Sequence, residues 1–159
     1  MARWVSKTAV VVGNVELGDN VSVYYNTTIR CETDKMIFGE GTNIQDNCVC
    51  HGDKGMPVVT GKNVTIGHGC IIHGCSIGEN SLIGMGSIVM NRASIGKNCI
   101  IGAGSLVTEG TVIPDDSVAF GRPCKVIRPI TEQEIENNRC NALHYIEIMP
   151  IQIENEKGL

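Results

Sequence analysis

Neither an alternating nor a helical spacing accounts for the apolar positions of this chain, whereas a period of six residues does. In one register the inward sites are Val11, Leu17, Val23 and Ile29, then Phe38, Ile44 and Cys50, then Thr60, Ile66 and Ile72. The series goes on through Ile77, Ile83, Val89, Ile95, Ile101, Val107 and Ile113. Glycine follows the inward residue at Gly18, Gly39, Gly61, Gly67, Gly78, Gly84, Gly96 and Gly102. Six residues make one short strand and a corner, with the apolar side chain turned inward and Gly or Asn easing the corner. Three such units close a triangular coil of 18 residues, which stacks Ile77, Ile95 and Ile113 in one column, Ile83 over Ile101, and Val89 over Val107. From Ile72 to Ile77 is one residue short of a full repeat, so the earlier columns are offset by 17. Residues 31–36 and 52–57 interrupt the period with Asp, Lys, Gly and Pro, and are expected to project as loops. After Pro114 the period stops, and Thr131-Glu132-Gln133-Glu134 has the form of a capping box opening a helix that runs to about Met149, before Pro150. The expected organisation is a β-helical domain over residues 1–130, a helix over 131–149 packed on it, and a tail over 150–159.

The 159 residues suit one domain. Lysines and arginines number 13 against 17 acidic residues, a net charge of −4, which excludes a basic face for a nucleic-acid backbone. No long apolar stretch follows a basic segment near the start, and no run of about 18 apolar residues occurs, so the chain reads as cytoplasmic with no membrane partner. Without an export signal the eight cysteines read as reduced thiols, mostly small buried hydrophobes. Cys48-Val49-Cys50-His51 and Cys70…Cys75 look like fragments of zinc sites, but no further Cys-x-x-Cys pair completes four ligands.

Parallel coils normally cross over in the right-handed sense, so handedness cannot be taken from the period. It comes from a resemblance. The string Ile66-Gly67-His68-Gly69-Cys70-Ile71-Ile72-His73-Gly74-Cys75, followed by Ile83-Gly84-Met85-Gly86 and Ile101-Gly102-Ala103-Gly104, is similar to left-handed hexapeptide-repeat proteins. More specifically it resembles the γ-class carbonic anhydrase family, over about residues 8–130. The resemblance implies a mainly β fold, a single-stranded left-handed parallel β-helix with a C-terminal α-helix.

Register assigns the histidines their places. His51 follows Cys50 and His73 follows Ile72, so the two share a corner on adjacent coils, about 4.8 Å apart, where their imidazoles can converge on one ion. His68 precedes His73 by five residues, about 16 Å of extended strand, and belongs to another corner. A cyclic trimer would set the His68 corner of one subunit against the His51/His73 corner of the next, giving three imidazoles and an open position. The resemblance agrees, since γ-carbonic anhydrases hold their metal with three histidines at matching positions, two from one subunit and one from its neighbour. His144, in the expected helix, reads as a surface or packing residue.

The columns place Arg30 next to His51, and Asp46 beneath His68. In the family an arginine with an acidic residue two positions on, and a Gln-Asp pair, surround the metal; here these read Arg30-Cys31-Glu32 and Gln45-Asp46. Arg30 is expected to pair with Glu32 or with Asp46 of the neighbour and to hold an anionic product, and Gln45 to orient water at the metal. An ion-pair network that only fixes the trimer is the competing reading. The implied activity is reversible hydration of carbon dioxide to bicarbonate on zinc, with iron or cobalt as alternatives. Turnover is expected to be low, because Arg-Cys-Glu stands for the family's Arg-Gly-Asp and the short loop after His51 lacks the acidic insertion associated with proton transfer. Two other readings stay open. One is an acyltransferase or thioesterase acting on acyl-CoA, since Phe120-Gly121-Arg122-Pro123-Cys124-Lys125-Val126-Ile127 resembles a segment many hexapeptide transferases share. The other is a non-catalytic trimeric metal-binding scaffold.

Overall fold

The computed structural model describes residues 3–157. Short parallel strands stack into the three faces of a left-handed solenoid, with one helix lying along the first face, from Asn80 and Cys99 at Asn138 back to Trp4 and Ser6 at Glu156. On the first face the inward residues Val23, Ile44, Ile66, Ile83, Ile101 and Ala119 lie in register from coil to coil, and the exposed Val5 continues the column at its first rung. The second face stacks Val11, Ile29, Cys50, Ile72, Val89 and Val107. The third pairs Leu17 with Phe38, then Thr60 with Ile77, Ile95 and Ile113. The 17-residue offset appears where Thr60, Ile66 and Ile72 meet Ile77, Ile83 and Val89. One continuous core results, in which Ile29, Phe38, Ile44, Ile66, Ile72 and Ile83 are fully buried. Thr60 is the polar exception, and its hydroxyl accepts the Gly39 N–H at 3.1 Å. Of the eight free cysteines only Cys140 is exposed.

The corner glycines answer a different need from the one the period suggests. A Cβ on Gly67 would stand 2.8 Å from the carbonyl oxygen of Ile83 in the next coil, so this glycine permits stacking, whereas the left-handed backbone falls two residues on, at Gly69 with φ +69°. His68 sits between them at the tip of the turn.

Three expectations need correction. Residues 31–36 are not a free loop but part of the strand Thr28–Phe38, paired with Val10–Leu17 on both sides of a register shift. The neighbouring strand continues past the corner and pairs with the segment's two ends, Gly13 with Cys31 and Val15 with Met36, so that the polar residues Glu32 to Lys35 bulge outward between them. The repeat does not stop at Pro114 either: Ser117–Gly121 adds a rung to the first face and then folds back antiparallel against Cys124–Pro129. Finally, the C-terminal helix is Glu132–Lys157 and passes through Pro150, so residues 150–157 are no tail. A proline in a helix interior removes one hydrogen bond and costs about 3 kcal/mol. Tertiary anchors on either side of it compensate: Met149 before it and Ile153 after it pack with Trp4 and Tyr24, and Glu156 accepts from Trp4 Nε1 at 3.1 Å and Ser6 Oγ at 2.7 Å. No helix among the described residues is long and apolar enough to cross a membrane.

The helix start follows the capping box, with the Glu134 N–H donating to Thr131 Oγ1 at 3.2 Å and the Thr131 N–H donating to Glu134 at 3.0 Å. Arg128 and the Thr131 N–H hold the Glu134 carboxyl down to about 2, from an ordinary 4.5. A lowered folded-state value means stabilisation that is complete above the ordinary value and lost as pH falls through the folded one. Glu134→Gln is therefore expected to melt below wild type at neutral pH, with the gap closing between about pH 4.5 and 2. A gap that stays constant across that window would show that Glu134 does not act through its charge.

Candidate metal centre

The residues just past the second face's inward column, Arg30, His51 and His73, stack in register on successive coils. Their strands, Thr28–Phe38, Val49–His51 and Ile71–His73, are pinned from inside by Ile29, Cys50 and Ile72, so the side chains of this corner all point outward together. The imidazoles of His51 and His73 have ring centroids 5.0 Å apart, and His51 Nδ1 faces His73 Nε2 at 3.0 Å.

Each ring is held by its other nitrogen. His51 Nε2 lies 3.1 Å from Glu32 Oε2, and Glu32 in turn pairs with Arg30. A carboxylate only accepts, so the proton of neutral His51 sits on Nε2 and Nδ1 is a lone pair. His73 Nδ1 rests on Asn91 Oδ1, which likewise leaves a lone pair at Nε2. Two lone pairs facing each other repel unless a cation lies between them. Two nitrogens each about 2.0–2.1 Å from a tetrahedrally held zinc stand about 3.3 Å apart, close to the spacing here, so the pair fits a metal. Burial, followed by the charge of Arg30 and by His73, lowers the pKa of His51, against the opposing charge of Asp53, in the direction of the neutral form a metal requires. Asp53 is also near, since ligand atoms of His51, Asp53 and His73 all lie within 4.8 Å of one another.

His68 stands apart, at the corner after the first face. Its Nδ1 lies 2.7 Å from Asp46 Oδ2 one coil earlier, as the pairing of Ile44 with Ile66 requires, and its Nε2 is the free nitrogen. Gln45 is buried beside it, donating from Nε2 to Asn43 Oδ1 at 3.1 Å. Both line a groove of 380 Å³ between the first face and the helix, with Leu82, Met85, Ile100 and Tyr145 on its walls. The fold thus brings Arg30, Glu32, His51 and His73 together, and separately His68, Asp46 and Gln45. His144 is on the exposed side of the helix, with its ring against Tyr145.

Asn91 and Asp53 escaped the reading of the period. Asn91 follows Met90 one coil beyond His73 and could have been found as a polar residue at the histidine corner. Asp53 belongs to the loop after His51, where register carries no information.

Comparison with known proteins agrees with this architecture. Residues 74–109 match the family described as Bacterial transferase hexapeptide (six repeats), and residues 57–90 that described as Hexapeptide repeat of succinyl-transferase. A probable carbonic anhydrase of Methanocaldococcus jannaschii is 50% identical over 144 residues, 91% of each chain. A carbonic anhydrase of Geobacillus kaustophilus is 39% identical over 146 residues, 92% of this chain and 80% of the other. The crystal structure of a putative acetyltransferase of Bacillus cereus, 35% identical, superposes with a TM-score of 0.87 over 99% of this chain and 93% of that one. Half of the aligned positions shared along nine-tenths of the length, on a coil of this design, mean that the chain belongs to the γ-class carbonic anhydrase-like family of left-handed hexapeptide-repeat β-helices.

Proposed function

We propose that this protein catalyses the reversible hydration of carbon dioxide at metal sites shared between the subunits of a homotrimer. The observation that carries the reading is that all three histidines are anchored by one ring nitrogen, His51 on Glu32, His68 on Asp46 and His73 on Asn91, which turns the other nitrogens of His51 and His73 toward each other and leaves His68 Nε2 free. Metal-bound histidines are oriented by such acceptors. In this reading His51 and His73 of one subunit, with His68 of the partner subunit, hold zinc, or iron or cobalt in its place. The metal supplies the Lewis acidity that makes water nucleophilic at neutral pH. Glu32 and Asp46 then act behind the imidazoles as positioning residues.

Arg30 has two tasks. It holds Glu32, and its half-exposed guanidinium keeps N–H donors for the bicarbonate anion. Gln45, at the His68 corner, offers its amide to water or substrate. Loop residues 52–57 carry Asp53 as their one carboxylate, so proton release is proposed to limit turnover.

Metal analysis of purified protein with a stopped-flow assay of carbon dioxide hydration tests the proposal, and zinc-loaded protein without hydration overturns it. Arg30→Ala is expected to lower kcat/KM by about tenfold to a hundredfold, the loss of a charge-assisted hydrogen bond of about 1.5–3 kcal/mol. Lysine should recover only part, lacking the planar fork. Full activity with the trimer intact would remove Arg30 from both tasks.

One observation favours a second reading. His68 and Asp46 form a dyad beside an apolar groove, an arrangement suited to a general base in transfer or hydrolysis of an acyl-CoA. That chemistry has no use for His51, so His51→Ala separates the two: it removes hydration but would leave acyl transfer intact. Metal binding with neither activity would point to the non-catalytic scaffold.

A further inference from the structure

A neutral imidazole carries its proton on either nitrogen, and an asparagine behind it does not settle which, because an amide presents a donor or an acceptor according to how it is turned. Were the Asn91 NH2 to face His73, Nδ1 would accept and the proton would pass to Nε2, the nitrogen that faces His51. The ring could then offer no lone pair there. Asn91 is turned the useful way by a third group. Its Nδ2 donates to Asp53 Oδ2 at 3.0 Å, and a carboxylate cannot donate in return, so Oδ1 is the atom left for His73 Nδ1. Asp53 reaches Asn91 from the loop after His51, across a sequence separation of 38 residues. The residue after His73 leaves room for the amide oxygen in this place, since a Cβ on Gly74, at φ +54°, would stand 2.4 Å from Asn91 Oδ1.

We propose that Asp53 and Asn91 form a positioning pair for His73, in which the carboxylate fixes the orientation of the amide and the amide fixes the Nδ1-protonated tautomer, so that Nε2 is presented to the metal. The inference rests on the metal reading above for the purpose of the tautomer, not for its existence. It also gives Asp53 a role other than that of a direct ligand, which its distance from the two rings would permit.

The test uses the full-length protein with 15N-labelled histidine and two readouts. In metal-free wild type, two-bond 1H–15N correlations are expected to show His73 with its proton on Nδ1, and Asp53→Asn is expected to give a mixture with the Nε2 form. In competition with a chelator, Asp53→Asn and Asn91→Ala are each expected to weaken zinc binding by about 10- to 100-fold. The double variant Asp53→Asn/Asn91→Asp should recover most of the Asp53→Asn loss, because a carboxylate at position 91 accepts from His73 without having to be turned. That recovery also shows that the losses are not misfolding. An unchanged His73 tautomer in Asp53→Asn overturns the proposal, and so does a loss of affinity that the double variant fails to recover, the result expected of a direct ligand. Wild type that binds no zinc would sink the metal reading alone, with the metal-free tautomer comparison still deciding the pair.

Discussion

Removing the metal is expected to lower the melting temperature by about 8–16 °C, and returning it to restore the original value. A ligand that binds only the folded assembly adds RT ln(1 + [L]/Kd), about 4 kcal/mol at a thousandfold excess over Kd, and a chain of this size moves by about 2–4 °C per kcal/mol. The local chemistry points the same way, since without a cation the lone pairs of His51 Nδ1 and His73 Nε2 face each other at 3.0 Å. The dependence on protein concentration is informative as well. If His68 of the partner subunit completes the site, chelation also loosens the trimer, and the shift grows as the protein is diluted. If Asp53 completes it, all three ligands belong to one chain and dilution changes nothing. Calorimetry with and without chelator at two protein concentrations, with light scattering for mass, measures both effects. A melting temperature unchanged by verified metal removal would contradict the site altogether.

What the sequence reveals of this protein, and what it hides, follows from how a coil is built. An inward side chain every six residues is imposed by the strand-and-corner geometry, so all three columns can be read from Val11 to Ile113, including Thr60, whose hydroxyl finds its own partner. Register then carries outward: if Cys50 and Ile72 stack, so must His51 and His73, and if Ile44 and Ile66 stack, Asp46 must lie under His68. Contacts that leave the coil are hidden. The pairing of Met36–Phe38 with Val15–Leu17 depends on how far the neighbouring strand extends, and the helix beyond Pro150 depends on Trp4 and Ser6 at the far end of the chain. Asp53 is hidden for the same reason, because a loop of unknown path carries it to Asn91. Glu32 was legible as a neighbour of Arg30, but its hydrogen bond to His51 needs the bulge that the strand Thr28–Phe38 makes.

The division of ligands between chains yields the most specific expectation. His68→Ala and His73→Ala homotrimers should each lose the metal, since either leaves two imidazoles where three are needed. A subunit carrying His68→Ala still presents His51 and His73, and one carrying His73→Ala still presents His68. Around a cyclic trimer each interface takes the histidine pair from one subunit and the single histidine from the next, so an interface is whole only when the first kind precedes the second. With equal amounts and random reassembly each condition is met half the time, and about a quarter of the wild-type metal content and activity should return. Mixed trimers of either composition contain one such interface. The pair His51→Ala with His73→Ala should restore nothing, because both substitutions damage the same side, as the 3.0 Å contact between these rings requires. Metal that stays at background in the first mixture, with mixed trimers confirmed by native mass spectrometry, would rule out the shared site. Metal retained by the His68→Ala homotrimer itself would transfer the third position to Asp53, the carboxylate already within 4.8 Å of both rings.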